Sequence, residues 1–162
     1  ADNGYHQYEI SNFAKEGKAC RHNLSYWERK NYLGFGTGAA SLLCEQRYTN
    51  TDSLALYIDT MAELEEKKEV ISKALAAVRA EQHTLSVPEQ MEEMFFLGLR
   101  KNSGISEADF LGKFGKTVDD IYAQALEKNQ KFGLLVRENG RIFLTKRGRE
   151  VSNVVMSEFL LD

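Results

Sequence analysis

The dipeptide Asn139-Gly140 stands between two short apolar runs, Leu134-Leu135-Val136-Arg137-Glu138 and Arg141-Ile142-Phe143-Leu144. Asn and Gly both accept the positive φ that a two-residue type I′ turn demands, so this stretch predicts a tight β-hairpin. The pairing sets Glu138 across from Arg141, an opposite-charge pair worth a few tenths of a kcal/mol. Helix signals surround the hairpin. Ser86-Val87-Pro88-Glu89 reads as a capping box, with Pro in the first turn where a missing N–H costs nothing. Met91, Met94, Phe95 and Leu99 follow at helical spacing. Ser106 with Asp109 opens a short helix through Phe110, Leu111 and Phe114, and Gly115 can end it. Thr117 with Asp120 opens another, with Val118, Ile121, Tyr122, Ala125 and Leu126 inward. Thr145 caps a last helix through Val151, Val154, Val155 and Phe159. Residues 86–162 therefore predict a winged-helix-like, mainly helical module. Cores of that size are marginal, so it is expected to lean on what precedes it.

The N-terminal half carries weaker signals. Residues 5–14 contain a strand by alternation, with Tyr8 and Ile10 on one face and Glu9 and Ser11 on the other. Residues 15–31 read as a polar loop holding His22-Asn23-Leu24-Ser25-Tyr26-Trp27. A glycine turn, Gly34-Phe35-Gly36-Thr37-Gly38, leads to an apolar piece at 39–43 and a strand-like Arg47-Tyr48-Thr49-Asn50. A helix starts near Asp52, with Leu54, Leu56, Tyr57, Ile58 and Met61 as its apolar face. Glu63 to Glu69 is a charge run that suits a solvated helix end. Residues 70–85 stay open between helix, from their alanines, and edge strand, from Val70-Ile71 and Val78.

Composition narrows the class. The chain has 162 residues, with 43% apolar and 28% charged, as one ordinary soluble domain or two small ones would. No run approaches the ~18 apolar residues of a membrane span. The start, Ala1-Asp2-Asn3-Gly4, has no signal-peptide pattern and no initiator Met, so the native N-terminus is expected to be missing. A net charge of -3 gives no global pull toward nucleic acid. Cys20 and Cys44 are too far apart for a CxxC site and read as reduced thiols of a cytoplasmic protein, with a single disulfide as the alternative.

Three groups of residues carry candidate chemistry. His22 suits ligation of a metal or of haem iron through a neutral imidazole, with Asn23 orienting it and Tyr26 and Trp27 forming a flat apolar wall. On spacing alone, a surface histidine and two loop-anchoring aromatics account for the same residues. Gly34, Gly36 and Gly38 would let the backbone approach a ligand or another strand. No βαβ unit surrounds the turn, so it is not the dinucleotide fingerprint. Arg137, Arg141, Lys146, Arg147 and Arg149 cluster around the hairpin, where a nucleic-acid backbone could meet them. Glu138 and Glu150 interrupt that patch, and the neighbouring helix carries Asp119, Asp120 and Glu127, which argues against it. His6 and His83 have no partners in the sequence and read as structural or surface residues. No Ser-His-Asp grouping, HExxH or P-loop is present.

Three runs together resemble the oxygen-independent coproporphyrinogen III oxidase family of radical S-adenosylmethionine (SAM) proteins. They are Gln7 to Ala14, Arg21 to Trp27, and Tyr32 to Ser41. Leu97-Gly98-Leu99-Arg100, the hairpin, and Leu144-Thr145 through Ser152-Asn153 match the family's small C-terminal domain. The resemblance implies an α+β fold. Residues 1–50 would be the last strands and loops of an incomplete (β/α) barrel, 51–85 a connecting helix and linker, and 86–162 the winged-helix-like C-terminal domain. The parent protein would hold a [4Fe–4S] cluster on Cys-x3-Cys-x2-Cys, together with SAM. That motif is absent here, so the resemblance places no catalytic residue and no cluster ligand in these residues. The missing barrel would be a partner within the same chain, and a strand edge left bare invites a fragment dimer.

Within the family, His-Asn-x-x-Tyr-Trp marks the branch that looks like a haem chaperone. The resemblance implies haem binding by His22, Asn23, Tyr26 and Trp27, and SAM-lining positions at Gly34, Gly36 and Gly38. Thr37 stands where relatives often carry Pro, and Ala40 where they carry His, so one histidine is carried over and not a pair. The expected function is haem binding or transfer within a radical SAM parent. One alternative is oxidative decarboxylation of coproporphyrinogen III to protoporphyrinogen IX, with Arg21 or Arg47 holding propionates. Another is a winged-helix nucleic-acid module.

Overall fold

The computed structural model describes residues 3–66, 73 and 76–161. In chain order the elements are β1 (Tyr5–Gln7), β2 (Phe13–Lys15), α1 (Arg21–Trp27), β3 (Ala40–Leu43), β4 (Gln46–Asn50) and α2 (Leu54–Glu66). There follow β5 (Arg79–Thr84), α3 (Val87–Gly98), β6 (Ile105–Ser106), α4 (Glu107–Phe114) and α5 (Val118–Lys131). The chain closes with β7 (Leu135–Glu138), β8 (Arg141–Leu144), α6 (Lys146–Glu150) and α7 (Ser152–Ser157). The fold is mixed α+β, and its strand pairs are antiparallel. Residues up to Arg29 together with Val87 onward make one compact unit, and Lys30–Ser86 make a second.

The core of the first unit grows from α3. Phe95 is fully buried, stacked on Phe159 at 4.4 Å and tilted against Tyr122 at 4.5 Å. Phe110 meets it edge-on at 5.9 Å. Aromatic pairs in these geometries add to area burial. The caps at Ser106, Thr117 and Thr145 form as the sequence predicts. Ser106 accepts from the Asp109 amide, and Gly115 ends α4 in the left-handed region at φ 66°. Thr117 and Asp120 complete a reciprocal capping box on α5. The turn at Asn139 and Gly140 has φ 52° and 71°, and Glu138 pairs with Arg141 in register.

Two expectations for this unit are corrected. The strand within residues 5–14 is broken into a hairpin, β1 against β2. Glu9 breaks it: its carboxylate accepts from the Ser11 amide at 3.0 Å and from Asn12 Nδ2 at 2.6 Å, which folds 8–12 into a turn. The last helix is two pieces, because Val151 leaves helical geometry at φ -119°, ψ 29°. The break leaves Val151 and Val154 exposed and brings Met156 inward beside Val155 and Phe159.

In the second unit the sheet order is β3-β4-β5. Residues 79–84 of the ambiguous region are strand, while Val70 and Ile71 lie outside the described residues. Leu42, Tyr48, Val78 and Leu85 are buried. The helix expected near Asp52 forms as α2, but no described residue of it is buried. Leu54, Leu56 and Ile58 are more than half exposed, while Tyr57 and Met61 of the face read from the sequence are partly buried; Leu56 lies on the side of the helix opposite Leu54 and Ile58.

Candidate functional site

Residues 21–27 form a helix where a loop was expected. Cys20 precedes it without a side-chain cap, and its first turn holds no acid. The ordinary start signals and a 3.6-residue apolar stripe are therefore missing. Its faces sort the four expected haem residues into two pairs. His22 is exposed, and its ring meets Tyr26, one turn on, edge-to-face at 4.7 Å and 80°. Asn23 and Trp27 form the second pair. Asn23 Nδ2 lies 3.5 Å from Tyr8 Oη, and the Trp27 ring lies 4.4 Å under the Arg100 guanidinium. Five residues along a helix is about 140° of rotation. His22 and Trp27 therefore do not share one wall, and the flat wall expected beside His22 reduces to Tyr26 alone. Nor does Asn23 orient His22, because its amide turns to Tyr8.

The end of α1 is anchored by charge. Arg29 Nε donates to Glu93 Oε2 at 2.8 Å, with the two side chains only 5% and 18% exposed. Beyond α3, Lys101 lies 3.7 Å from Glu28, and burial lowers its pKa from the usual value, with Glu28 opposing the shift. Trp27, Lys101, Met94 and Ile105 line a cleft of about 230 Å³. Sequence reasoning matched Leu97-Gly98-Leu99-Arg100 to a family without seeing this chemistry. The signal was tertiary: Arg100 and Lys101 are set beside α1 by bonds from Ile10 N to Arg100 O and from Asn102 N to Tyr8 O.

In the second unit, the glycine turn is held from within. The Gly34 amide donates to Ser41 Oγ at 2.9 Å, the Gly36 amide to Tyr57 Oη at 3.0 Å, and the Gly38 amide to the Thr51 carbonyl at 3.0 Å. Buried Asn50, unnoticed in the sequence, donates its amide to the carbonyls of Gly34 and Gly36. Gly36 and Gly38 sit at φ 95° and 66°. A Cβ on Gly34 would collide with the Ala40 carbonyl. Turn geometry thus accounts for all three glycines, and their amides are already spent.

The basic cluster around the hairpin is also largely spent. Arg137 makes two bonds to Asp119, at 2.8 and 2.6 Å, and pairs with Glu107. Those bonds pull the Asp119 carboxyl below its usual pKa and push the Arg137 guanidinium above its own. Arg141 donates to the Ser103 and Gly104 carbonyls, and Arg149 to the Leu144 carbonyl. Cys20 and Cys44 are free and exposed, one in each unit. Two thiols do not fit a three-cysteine cluster. Among the described residues, no three His, Cys, Asp or Glu side chains converge on a metal position. No helix among them is long and apolar enough to cross a membrane.

Comparison with known proteins places this arrangement. Residues 85–151 match the model of the HemN C-terminal domain. Over 97% of its length the chain is 36% identical to the heme chaperone HemW of Bacillus subtilis, of which it spans 38%. It is 37% identical to the Lactococcus lactis heme chaperone HemW over its whole length, spanning 39% of that relative. Against the mitochondrial radical S-adenosyl methionine domain-containing protein 1 of Danio rerio it is 32% identical over 73% of the chain, and spans 28% of that protein. The solved structure of the Escherichia coli coproporphyrinogen III oxidase HemN, a radical SAM enzyme, shares the fold at a TM-score of 0.68 and 16% identity, over 98% of this chain and 37% of that one. The chain spans about two fifths of the length of these heme chaperone relatives. With its C-terminal domain match and its heme chaperone relatives, the chain belongs to the HemN-like family of radical SAM proteins, as a C-terminal part of such a protein.

Proposed function

We propose that this chain supplies the haem-binding element of a haem-binding or haem-transferring protein, with His22 as the ligand to iron. The observation that carries the reading is the exposed imidazole of His22 on α1, braced at its edge by Tyr26. A neutral imidazole is a common iron ligand. Among the described residues no three His, Cys, Asp or Glu side chains converge on a metal position, and His22 is the single axial ligand assigned in this reading. Haem held through one axial protein ligand would be released more readily than haem held through two, which suits a protein that passes its cargo on. The relatives at 36% and 37% identity are named heme chaperones, and they align over this same helix.

In this reading the iron–sulfur cluster and SAM belong to the rest of the parent protein. A cluster with SAM bound would supply radical chemistry there, and no residue of this chain is assigned a step in it. Gly34, Gly36 and Gly38 would serve only as a close-packed wall, since their amides are occupied. The decarboxylase alternative gains only a shared fold from the oxidase structure. Haem titration of the parent protein, followed at the Soret band, tests the proposal. His22→Ala is expected to weaken binding at least tenfold, while Trp27→Phe changes it little. Equal binding by His22→Ala would overturn the assignment.

A further inference from the structure

The cleft beside α1 takes no part in the haem reading. At about 230 Å³ it is smaller than the ~300 Å³ where pockets for drug-sized ligands begin, and a tetrapyrrole does not fit. Trp27, Met94 and Ile105 give it apolar surface. Lys101 supplies the charge. Its side chain is only 12% exposed, and its ion-pair partner Glu28 stands at 3.7 Å, well beyond a charge-assisted hydrogen bond. An ammonium carries three donors, and the long contact to Glu28 leaves room for a closer acceptor at this one. Of the other cations at the cleft, Arg29 is engaged with Glu93 and Arg141 with backbone carbonyls, and Lys113 Nζ lies 5.5 Å from the Phe114 ring centroid. Glu28 and Asp109, at the same cleft, disfavour a dianion. What remains is room for one negative charge and a short apolar body.

We propose that this cleft binds a small monocarboxylate with an apolar tail, the carboxylate displacing Glu28 from Lys101 and the tail lying on Trp27 and Met94. Trp27 is the only tryptophan of the chain, so its fluorescence reports binding directly. Titration of the 162-residue chain with hexanoate is expected to give a saturable change, with hexanol and inorganic phosphate at least tenfold weaker. Glu28→Gln removes the competing carboxylate and is expected to tighten hexanoate severalfold. Lys101→Met keeps the bulk without the charge and is expected to weaken it more than tenfold. If Lys101 and Glu28 were only a structural pair, Glu28→Gln would leave affinity unchanged or reduced, and that result overturns the proposal. Hexanol binding as tightly as hexanoate would remove the carboxylate from it. Tighter binding of phosphate would show the ligand class to be wrong.

Discussion

Lys101 shows how a residue's surroundings set its thermodynamics. Its folded pKa lies below the ordinary value of 10.5, chiefly through burial. As pH rises toward that value the unfolded chain binds more protons than the folded one, so stability increases with pH across that window. At neutral pH both states hold the proton and the burial cost is fully present. Lys101→Met is therefore expected to be no less stable than the parent near pH 7, and to lack the gain seen near pH ~10. Urea midpoints at the two pH values check this; a parent curve flat in pH would contradict it. The sequence could not show this environment, because burial comes from α1, some seventy positions away in the chain. Arg137 makes the same point. It read as one of a surface group of cations, yet Asp119 and Glu107 hold it. Asn139 and Gly140 were legible because their constraint is local: both sit at positive φ.

Elements were legible where both ends carry signals. The boundaries of α4 and α5 follow from Ser106, Gly115 and Thr117, whose caps need only residues within one turn. Helix α1 was missed because it has no such cap, and it is held by Arg29 to Glu93 and by Trp27 beneath Arg100 instead. Two glycines separate local from tertiary demand. Gly140, at φ 71° with open space around it, needs only its conformation, so Gly140→Ala should cost about 1 kcal/mol. Gly104, at φ 62°, also has the Ile142 carbonyl and the Phe143 side chain where a Cβ would go. Gly104→Ala should then cost clearly more, since β6 and β8 must part to admit it. Denaturant melts of both variants measure the difference, and equal costs would argue against the close approach of the loop to β8.

At the scale of the molecule, the first unit buries its aromatic core while the second leaves Leu54, Leu56 and Ile58 of α2 exposed. A run of that kind marks an interaction surface, and the chain spans only 38% to 39% of its heme chaperone relatives. We propose that the rest of the parent protein contacts Leu54 and Ile58, which lie one turn apart on one side of α2. The 162-residue chain by itself should accordingly self-associate, and Leu54→Glu with Ile58→Glu should reduce this. A strictly monomeric 162-residue chain, without substitutions, in sedimentation would contradict the placement. The family was readable from three motifs in one half and caps in the other, whereas the division of the His22 motif into two faces needed the helix. The central claim is that His22 binds haem iron. Its most direct test is the electronic spectrum of ferric haem on the parent protein, in His22→Gly with and without added imidazole. The account predicts that the histidine-ligated Soret band is lost in the variant and restored by imidazole. An unchanged band in His22→Gly would contradict it.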